Sequence, residues 1–120
     1  MHSLRTKKIH EKYKRVLTKR SPLDACVLCK KIALKEFKYW KIVHNRFSWD
    51  RIAKIHHMII PKRHIVYEQL NTKEKKEFES IKSKYIDKKY ELIAEMTAKE
   101  KSIPEHFHVH LIIMKKLGKK

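Results

Sequence analysis

Apolar positions near the start of the chain repeat with the period of a helix and then change to the period of a strand. One helical face within residues 1–20 carries the apolar side chains of Ile9, Tyr13, Val16 and Leu17. Residues 37–43 and 55–60 are instead aromatic and β-branched with rough alternation, which is typical of strands. Pro61 cannot donate to a neighbouring strand, so the second strand should end there. The polar segment 44–54 is predicted to be a loop.

A second and longer helical pattern follows. Asn71, with Glu74 on its C-terminal side, is a helix-start signal. Apolar residues then recur at helical spacing toward Ala98: Phe78, Ile81, Tyr85, Leu92 and Met96. Pro104 excludes continuation of this helix, and residues 106–114 alternate as a third strand. The order helix, strand, strand, long helix, strand favours an α+β domain with helices packed on a largely antiparallel sheet.

Length and glycine content limit the kinds of site that this chain can build. A chain of 120 residues is long enough for one compact domain. Its only glycine, Gly118, lies near the C-terminus, which excludes a P-loop and a dinucleotide-binding glycine motif. If phosphate is bound, side chains must do most of the binding. We expect a basic N-terminal extension at 1–20, a folded domain at 21–115 and a basic tail at 116–120.

The charge balance predicts attraction to polyanions but does not select one. There are 31 Lys and Arg residues against 13 Asp and Glu, a net charge of +18. The lysines are scattered, so an ordinary solvated surface and a nucleic-acid footprint both remain open. The sequence has no apolar signal segment and no run of about 20 apolar residues. We therefore expect a cytoplasmic protein without a membrane span.

The basic N-terminal helix has three alternative roles. It can dock on the folded domain, contact an anionic membrane, or act as a transit peptide. Glu11 and the excess of Lys over Arg argue against import. We therefore favour docking on the domain.

The strongest chemical signal is a row of histidines in the predicted third strand. His106, His108 and His110 alternate with Phe107, Val109 and Leu111. On a strand, alternate side chains share a face about 6.5 to 7 Å apart, so the imidazoles should line a surface or cleft opposite an apolar face. Such a row can ligate a metal that activates water, or it can supply a nucleophile that takes a phosphoryl or nucleotidyl group. The spacing does not decide between these chemistries.

A second histidine cluster adds a family resemblance. His56 precedes a short apolar strand, the strand ends in Pro61-Lys62-Arg63-His64, a long helix follows, and the chain then reaches His106-x-His108-x-His110. This combination resembles the histidine triad (HIT) superfamily of nucleotide hydrolases and transferases, over about residues 26–114. The resemblance implies a HIT-like fold, an antiparallel sheet with a long helix packed on it. It also implies a homodimer.

The resemblance assigns roles to individual residues. His108 matches the nucleophile that attacks the α-phosphorus and becomes nucleotidylated, and His110 matches the residue that contacts the phosphate. His56 matches the upstream histidine that closes the site, and Asn45 matches a position that contacts the ribose. The implied substrates are nucleoside phosphoramidates, dinucleoside polyphosphates or adenylated molecules. Trp49 is a further candidate for substrate contact, by stacking on a base.

Cys26 and Cys29 form a CxxC motif with three readings. They can be a redox pair, half of a zinc site, or two buried apolar side chains. No thioredoxin-like pattern surrounds them, so a redox role is the least favoured. One branch of the histidine triad family completes a zinc site with two histidines, and here those match His64 and His106. The resemblance therefore implies a closed, structural zinc site of Cys26, Cys29, His64 and His106.

Two other readings stay open. A metalloenzyme would place the triad histidines, or His56 with two of them, around a catalytic zinc. A non-enzymatic module would instead use zinc, the triad and the basic surface only to bind a nucleotide or a nucleic acid.

The segment before the triad departs from the family pattern. Many family members hold the α-phosphate with a glycine-rich stretch, whereas residues 95–105 contain no glycine. Ser102 is the candidate replacement, and Lys99 or Lys101 could supply charge.

Overall fold

The computed structural model describes residues 4–19, 26–97, 99 and 105–116. Its helices are α1 (Lys7–Lys19), α2 (Val27–Lys30), α3 (Thr72–Ile81) and α4 (Asp87–Lys89), with a 3-10 turn at Tyr67–Gln69 and a π-helical turn at Lys82–Ile86. Its strands are β1 (Lys35–Glu36), β2 (Trp40–His44), β3 (Ala53–Pro61), β4 (Leu92–Ala94) and β5 (Val109–Met114). They form one antiparallel sheet in the order β1-β2-β3-β5-β4, which confirms the predicted α+β class.

Each face of the sheet carries a different set of side chains. Helix α3 and the turn after it cover one face, where the main apolar cluster lies: Trp40, Ile42, Ile59, Ile81, Ile86, Tyr90, Phe107, Val109 and Leu111. The other face carries a smaller cluster of Leu28, Val43, Met58 and Ile60. The alternation of β5 therefore directs Phe107, Val109 and Leu111 into the main core, as predicted, and leaves the histidines on the second face.

The N-terminal helix docks on the domain, as its amphipathic pattern predicted. Thr6, just before α1, donates to the Asp50 carboxylate from its backbone nitrogen (2.6 Å) and its hydroxyl (2.7 Å). The Tyr13 ring meets the Phe47 ring edge-on at 5.5 Å. These contacts place the helix on the loop between β2 and β3. None of the helices in the described ranges is long and apolar enough to cross a bilayer.

The predicted helix toward Ala98 is wrong beyond Lys89. Helical structure ends at Lys89, and Leu92 begins strand β4, which pairs with the end of β5. Leu92 and Met96 pack against the cluster of Trp49, Ala53 and Ile112. Their spacing of four fits a helix. The segment is a strand instead, because pairing with the edge of β5 provides hydrogen-bond partners for its backbone N–H and C=O groups.

The predicted third strand is also shorter than its sequence pattern. The ladder with β3 begins at Val109, opposite Ile59, so His106 and His108 precede it. Pro61 lacks an N–H to continue the ladder, and the Phe107 N–H donates instead to the Ile65 carbonyl (2.7 Å). Strand β1 and helix α2, both very short, carry no periodic signal that would have predicted them.

Helix α3 begins where Asn71 and Glu74 predicted. The Asn71 side chain accepts from the Glu74 N–H (2.8 Å), and the Glu74 carboxylate accepts from the Asn71 N–H (2.9 Å). The same carboxylate, only 1% exposed, accepts from Arg63 Nε and from its Nη2, both at 2.8 Å. These donors hold the pKa of Glu74 below its ordinary value, Arg63 having the largest effect.

We expect the substitution Glu74→Gln to lower the free energy of unfolding by about 1.5–3 kcal/mol at neutral pH, the range for a hydrogen bond to a charged group. Because the folded pKa of Glu74 lies below its ordinary 4.5, the stabilisation is present above that pH and is lost as the pH falls through the folded pKa. Urea unfolding curves should therefore show a difference in the free energy of unfolding between wild type and variant, and this difference should become smaller at acidic pH. The exposed Glu68→Gln is the matched control, and a difference independent of pH would contradict the assignment.

Candidate active site and metal centre

Pairing of β3 with β5 brings the two histidine clusters of the sequence together. His110 lies opposite Met58 in the ladder and His56 lies opposite Ile112, so both imidazoles project from the same face. All four site histidines are buried: His56 (2% exposed), His106 (0%), His108 (3%) and His110 (5%). The imidazoles therefore do not lie on an exposed surface, because Trp49 from the loop between β2 and β3 packs on His56 and His110.

Hydrogen bonds assign the protons of the His56–His110 pair. The Trp49 N–H donates to His56 Nδ1 (2.9 Å), so neutral His56 carries its proton on Nε2. That Nε2–H lies 2.8 Å from His110 Nδ1 and donates to it. His110 must then carry its own proton on Nε2. The His110 Nε2–H is therefore the donor that the pair presents, and such a donor can bind an anionic oxygen.

His108 has the opposite tautomer. Its Nδ1 lies 2.9 Å from the His106 carbonyl oxygen, which only accepts. Nδ1 therefore bears the proton and the Nε2 lone pair is the nucleophilic position. The His108 and His110 rings are 5.4 Å apart and nearly perpendicular. A nucleophilic nitrogen and an N–H donor thus stand on adjacent imidazoles.

Asn45 and Trp49 both lie at this site, where the sequence placed them. Asn45 Nδ2 is 3.2 Å from His56 Nε2, and Asn45 Oδ1 accepts from the Phe47 N–H (2.9 Å). The Trp49 ring packs on His110 at 4.3 Å and on His56 at 4.8 Å. Trp49 is 3% exposed, so it forms a wall of the histidine site. His57 faces the other side of the sheet, where its Nδ1 contacts the Tyr90 hydroxyl at 2.6 Å.

Burial keeps the histidine pair neutral. Removal from water lowers the pKa of both His56 and His110, and the positive charges of neighbouring groups lower them further. Arg5 acts on both, His57 and His44 act on His56, and His56 and His108 act on His110. The site therefore presents uncharged imidazoles at neutral pH.

Arg5 lies in the wall of the site, and sequence analysis did not single it out. It is 7% exposed, its Nε donates to the Phe47 carbonyl (2.8 Å), and its guanidinium lies 4.3 Å from the centre of the Tyr13 ring. One arginine in a basic extension carries no distinguishing local signal. Ser102 and Lys101 lie outside the described residues, and Lys99 is exposed.

The CxxC motif lies beside the first histidine of the triad. One donor atom from each of Cys26, Cys29, His64 and His106 falls within 4.8 Å of all the others. Cys29 Sγ is 3.2 Å from His64 Nδ1 and 3.3 Å from His106 Nδ1. Cys26 Sγ is 3.5 Å from the same nitrogen of His106. These four residues can hold a metal ion.

The donor set fits such an ion. Metal bonds of about 2.0–2.3 Å in a tetrahedron separate the donor atoms by roughly 3.3–3.8 Å, close to the observed contacts. His106 Nε2–H donates to the Pro61 carbonyl (3.0 Å), which turns Nδ1 toward the thiols. Burial also lowers the pKa of His106, so the imidazole is neutral, as a ligand must be.

We expect His64→Gln to weaken metal binding by at least about 100-fold, because loss of an outer-shell partner alone costs about 10–100-fold. Metal content of the purified protein and competition with a chelator measure this. His44→Gln is the matched control, since both histidines are exposed and His44 lies outside the cluster. Metal retention in His64→Gln equal to the control would contradict the four-residue set.

We expect His56 and His110 to remain neutral at about pH 5.5, where an ordinary histidine is mostly protonated. Because their folded pKa lies below the ordinary 6.5, the unfolded chain binds more protons below that pH. Stability should therefore fall as the pH drops from 6.5 toward the folded pKa. Nitrogen NMR shifts of the imidazoles report charge and tautomer directly. A protonated His56 or His110 imidazole at about pH 5.5 would contradict the prediction.

Comparisons with known proteins place this geometry in a known fold. Comparison with protein-family models gives no match, and comparison with curated proteins gives none. Among solved structures, a HIT family hydrolase from Clostridium thermocellum aligns with a TM-score of 0.57 at 21% identity, over 82% of this chain and 97% of that one. A HIT family hydrolase from Legionella pneumophila aligns with a TM-score of 0.57 at 18% identity, over 78% of this chain and 96% of that one.

A histidine triad protein from Clostridium difficile is also similar, with a TM-score of 0.54 at 18% identity over 84% of this chain and 99% of that one. The similarity extends over nearly the whole of each solved structure. Together with the strand order and the shared face of His56, His108 and His110, it confirms the resemblance read from the sequence. The chain has the histidine triad fold.

Proposed function

We propose that this protein is a nucleotide hydrolase or nucleotidyl transferase that cleaves at the α-phosphate through a covalent nucleotidyl-His108. The observation that carries the proposal is the bond from His108 Nδ1–H to the His106 carbonyl (2.9 Å). It leaves the Nε2 lone pair for attack, next to the N–H donor of His110. Two structures that share the fold are hydrolases by name.

In the first step, His108 Nε2 attacks the α-phosphorus and forms an N–P bond while the bond to the leaving group breaks. His110 Nε2–H donates to a phosphoryl oxygen and stabilises its negative charge. A bound phosphate raises the proton affinity of the adjacent His56–His110 pair, and a proton held there passes to the departing amine or phosphate.

In the second step, water attacks the same phosphorus. The N–P bond breaks, the nucleoside monophosphate leaves, and the proton of the water returns to the pair. If an alcohol or another phosphate attacks in place of water, the nucleotidyl group is transferred to that acceptor. Trp49 packs on both members of the pair, which fixes their orientation and excludes solvent from one side.

The candidate substrates are nucleoside phosphoramidates, dinucleoside polyphosphates and adenylated molecules, all of which present an α-phosphate with a leaving group. We assign Asn45 to the ribose because its amide lies beside His56 at the rim of the pair. Base stacking on Trp49 needs a ring face, and its packing on His110 occupies one such face. Trp49 therefore contacts a substrate only through its other face or its edge.

We further propose that zinc occupies the Cys26, Cys29, His64 and His106 set. Two thiolates with two imidazoles form the donor set that zinc prefers, and four protein ligands leave no position for water. When bound, the ion supplies structural cross-linking of α2 to the residues that precede β5. His108 and His110 remain for phosphate chemistry, because His106 is the triad member that belongs to the metal set.

We expect His108→Ala to abolish labelling of the protein by α-labelled substrates and to reduce turnover by at least about a thousand-fold, as loss of a nucleophile does. His108→Asn, whose amide can still donate to the His106 carbonyl, should behave alike. The assay incubates each protein with adenosine phosphoramidate, dinucleoside polyphosphates and adenylated nucleic-acid ends, then detects label on a gel. Metal content is measured in parallel, and His44→Ala is the matched control.

Three outcomes would overturn the proposal in different ways. Label on His108→Ala would assign the nucleophile elsewhere. Loss of metal together with activity would favour a catalytic metal held by the triad. An unlabelled wild type that binds RNA or DNA tightly and in a salt-dependent way would favour a non-enzymatic module with a basic surface.

A further inference from the structure

The first described residues of the chain are tied to the loop that walls the histidine site. We call residues 4–6 the N-terminal segment and residues 45–52 the site loop. The Arg51 N–H donates to the Leu4 carbonyl (3.0 Å), Arg5 Nε donates to the Phe47 carbonyl (2.8 Å), and Thr6 donates twice to the Asp50 carboxylate. Leu4 also packs on the cluster that contains Trp49. The segment is thus a fixed part of the site wall.

Among the described residues, Arg5 is buried in this wall with no carboxylate at ion-pair distance. Within the described residues, its guanidinium contacts the Phe47 carbonyl and the Tyr13 ring, and the ion pairs found there do not include it. The Asp50 carboxylate, the acidic group whose charge acts on Arg5, is bonded to Thr6. Burying an unpaired cation costs free energy, and burial lowers the pKa of Arg5 accordingly.

The charge of Arg5 reaches the histidine site. It contributes to the lowered pKa of both His56 and His110, although burial is the larger cause in each case. Phe47, which accepts from Arg5, donates its N–H to Asn45 and lies two positions before Trp49 in the sequence. The wall of the neutral histidine pair therefore contains a buried guanidinium, held against the same loop that carries Trp49.

We propose that Arg5 binds the phosphate of the substrate in the histidine site. The proposal rests on the proposed function and adds to it the residue that supplies positive charge. A guanidinium has five N–H donors, and with Nε committed to Phe47 the Nη groups keep donors for phosphate oxygens. An arriving phosphate would neutralise the buried charge, which recovers the cost of burying it. This cation takes the place that a glycine-rich backbone could fill, in a chain whose single glycine is Gly118.

The test measures binding of three probes, AMP, adenosine and inorganic phosphate, by calorimetry on the full chain with its metal bound. We expect Arg5→Gln to weaken the binding affinity for AMP and for phosphate by about 10- to 100-fold. This is the change in affinity that loss of one hydrogen bond to a charged group produces. Adenosine, which has no phosphate, should bind as it does to wild type. Arg5→Lys keeps the positive charge but lacks the planar guanidinium, so its affinity for AMP and phosphate should lie between those of wild type and Arg5→Gln.

Arg15→Gln is the matched control, since Arg15 is exposed on α1 and the substitution removes the same charge. A melting curve for each variant reports any structural effect. Equal weakening of AMP and adenosine with a lowered melting temperature would show that Arg5 only holds the site loop, and would overturn the proposal. Unchanged AMP and phosphate binding in Arg5→Gln would overturn it too.

The outcomes for this residue and for the proposed function are separable. If wild type binds phosphate through Arg5 but forms no nucleotidyl adduct, the proposed function fails and the phosphate site stands. If wild type forms the adduct and Arg5→Gln binds and turns over equally well, the function stands and the role of Arg5 fails. If wild type binds neither AMP nor phosphate, both fail.

Discussion

Antiparallel pairing of β3 with β5 is the constraint on which the site depends. Two histidine clusters far apart in sequence share one face because His110 lies opposite Met58 and His56 lies opposite Ile112. Alternation on β5 sends Phe107, Val109 and Leu111 into the main core, so the apolar packing that stabilises the sheet also fixes the register. A slip of one residue would bury the imidazoles among Trp40 and Ile42 and expose the core residues.

His106 links the metal cluster to the histidine site. Its Nδ1 faces the two thiols, its Nε2–H donates to the Pro61 carbonyl, and its own carbonyl accepts from His108 Nδ1. Holding the His106 side chain between the cysteines and Pro61 therefore also holds the carbonyl that sets the tautomer of His108. The metal cluster and the histidine site are therefore coupled through one short segment, residues 106–108.

The surroundings of the histidines are largely non-local. Trp49, Asn45 and Arg5 come from a loop and an N-terminal segment whose contacts span 42 to 44 positions of sequence. Their backbone bonds and the ring packing of Trp49 exclude water, and burial then lowers the histidine pKa values. The net charge of +18 describes the exposed surface and gives no indication of the buried, neutral imidazoles or of the buried Arg5.

The sequence by itself determined the α+β class, the start of α3 at Asn71, the end of β3 at Pro61 and the grouping of His56, His108 and His110. The two element boundaries follow from local rules, which are capping chemistry and the missing N–H of proline. The class follows from the order of the elements, and His56 joins the triad histidines only through the family resemblance, since alternation groups residues of a single strand. Only the tertiary structure decided that the segment from Leu92 is a strand, that the imidazoles are buried, and that Arg5 is buried against the loop that carries Trp49. Those outcomes depend on which distant strand edge or loop packs against a segment. Hydrophobic periodicity is a local property of the sequence and does not identify that packing partner.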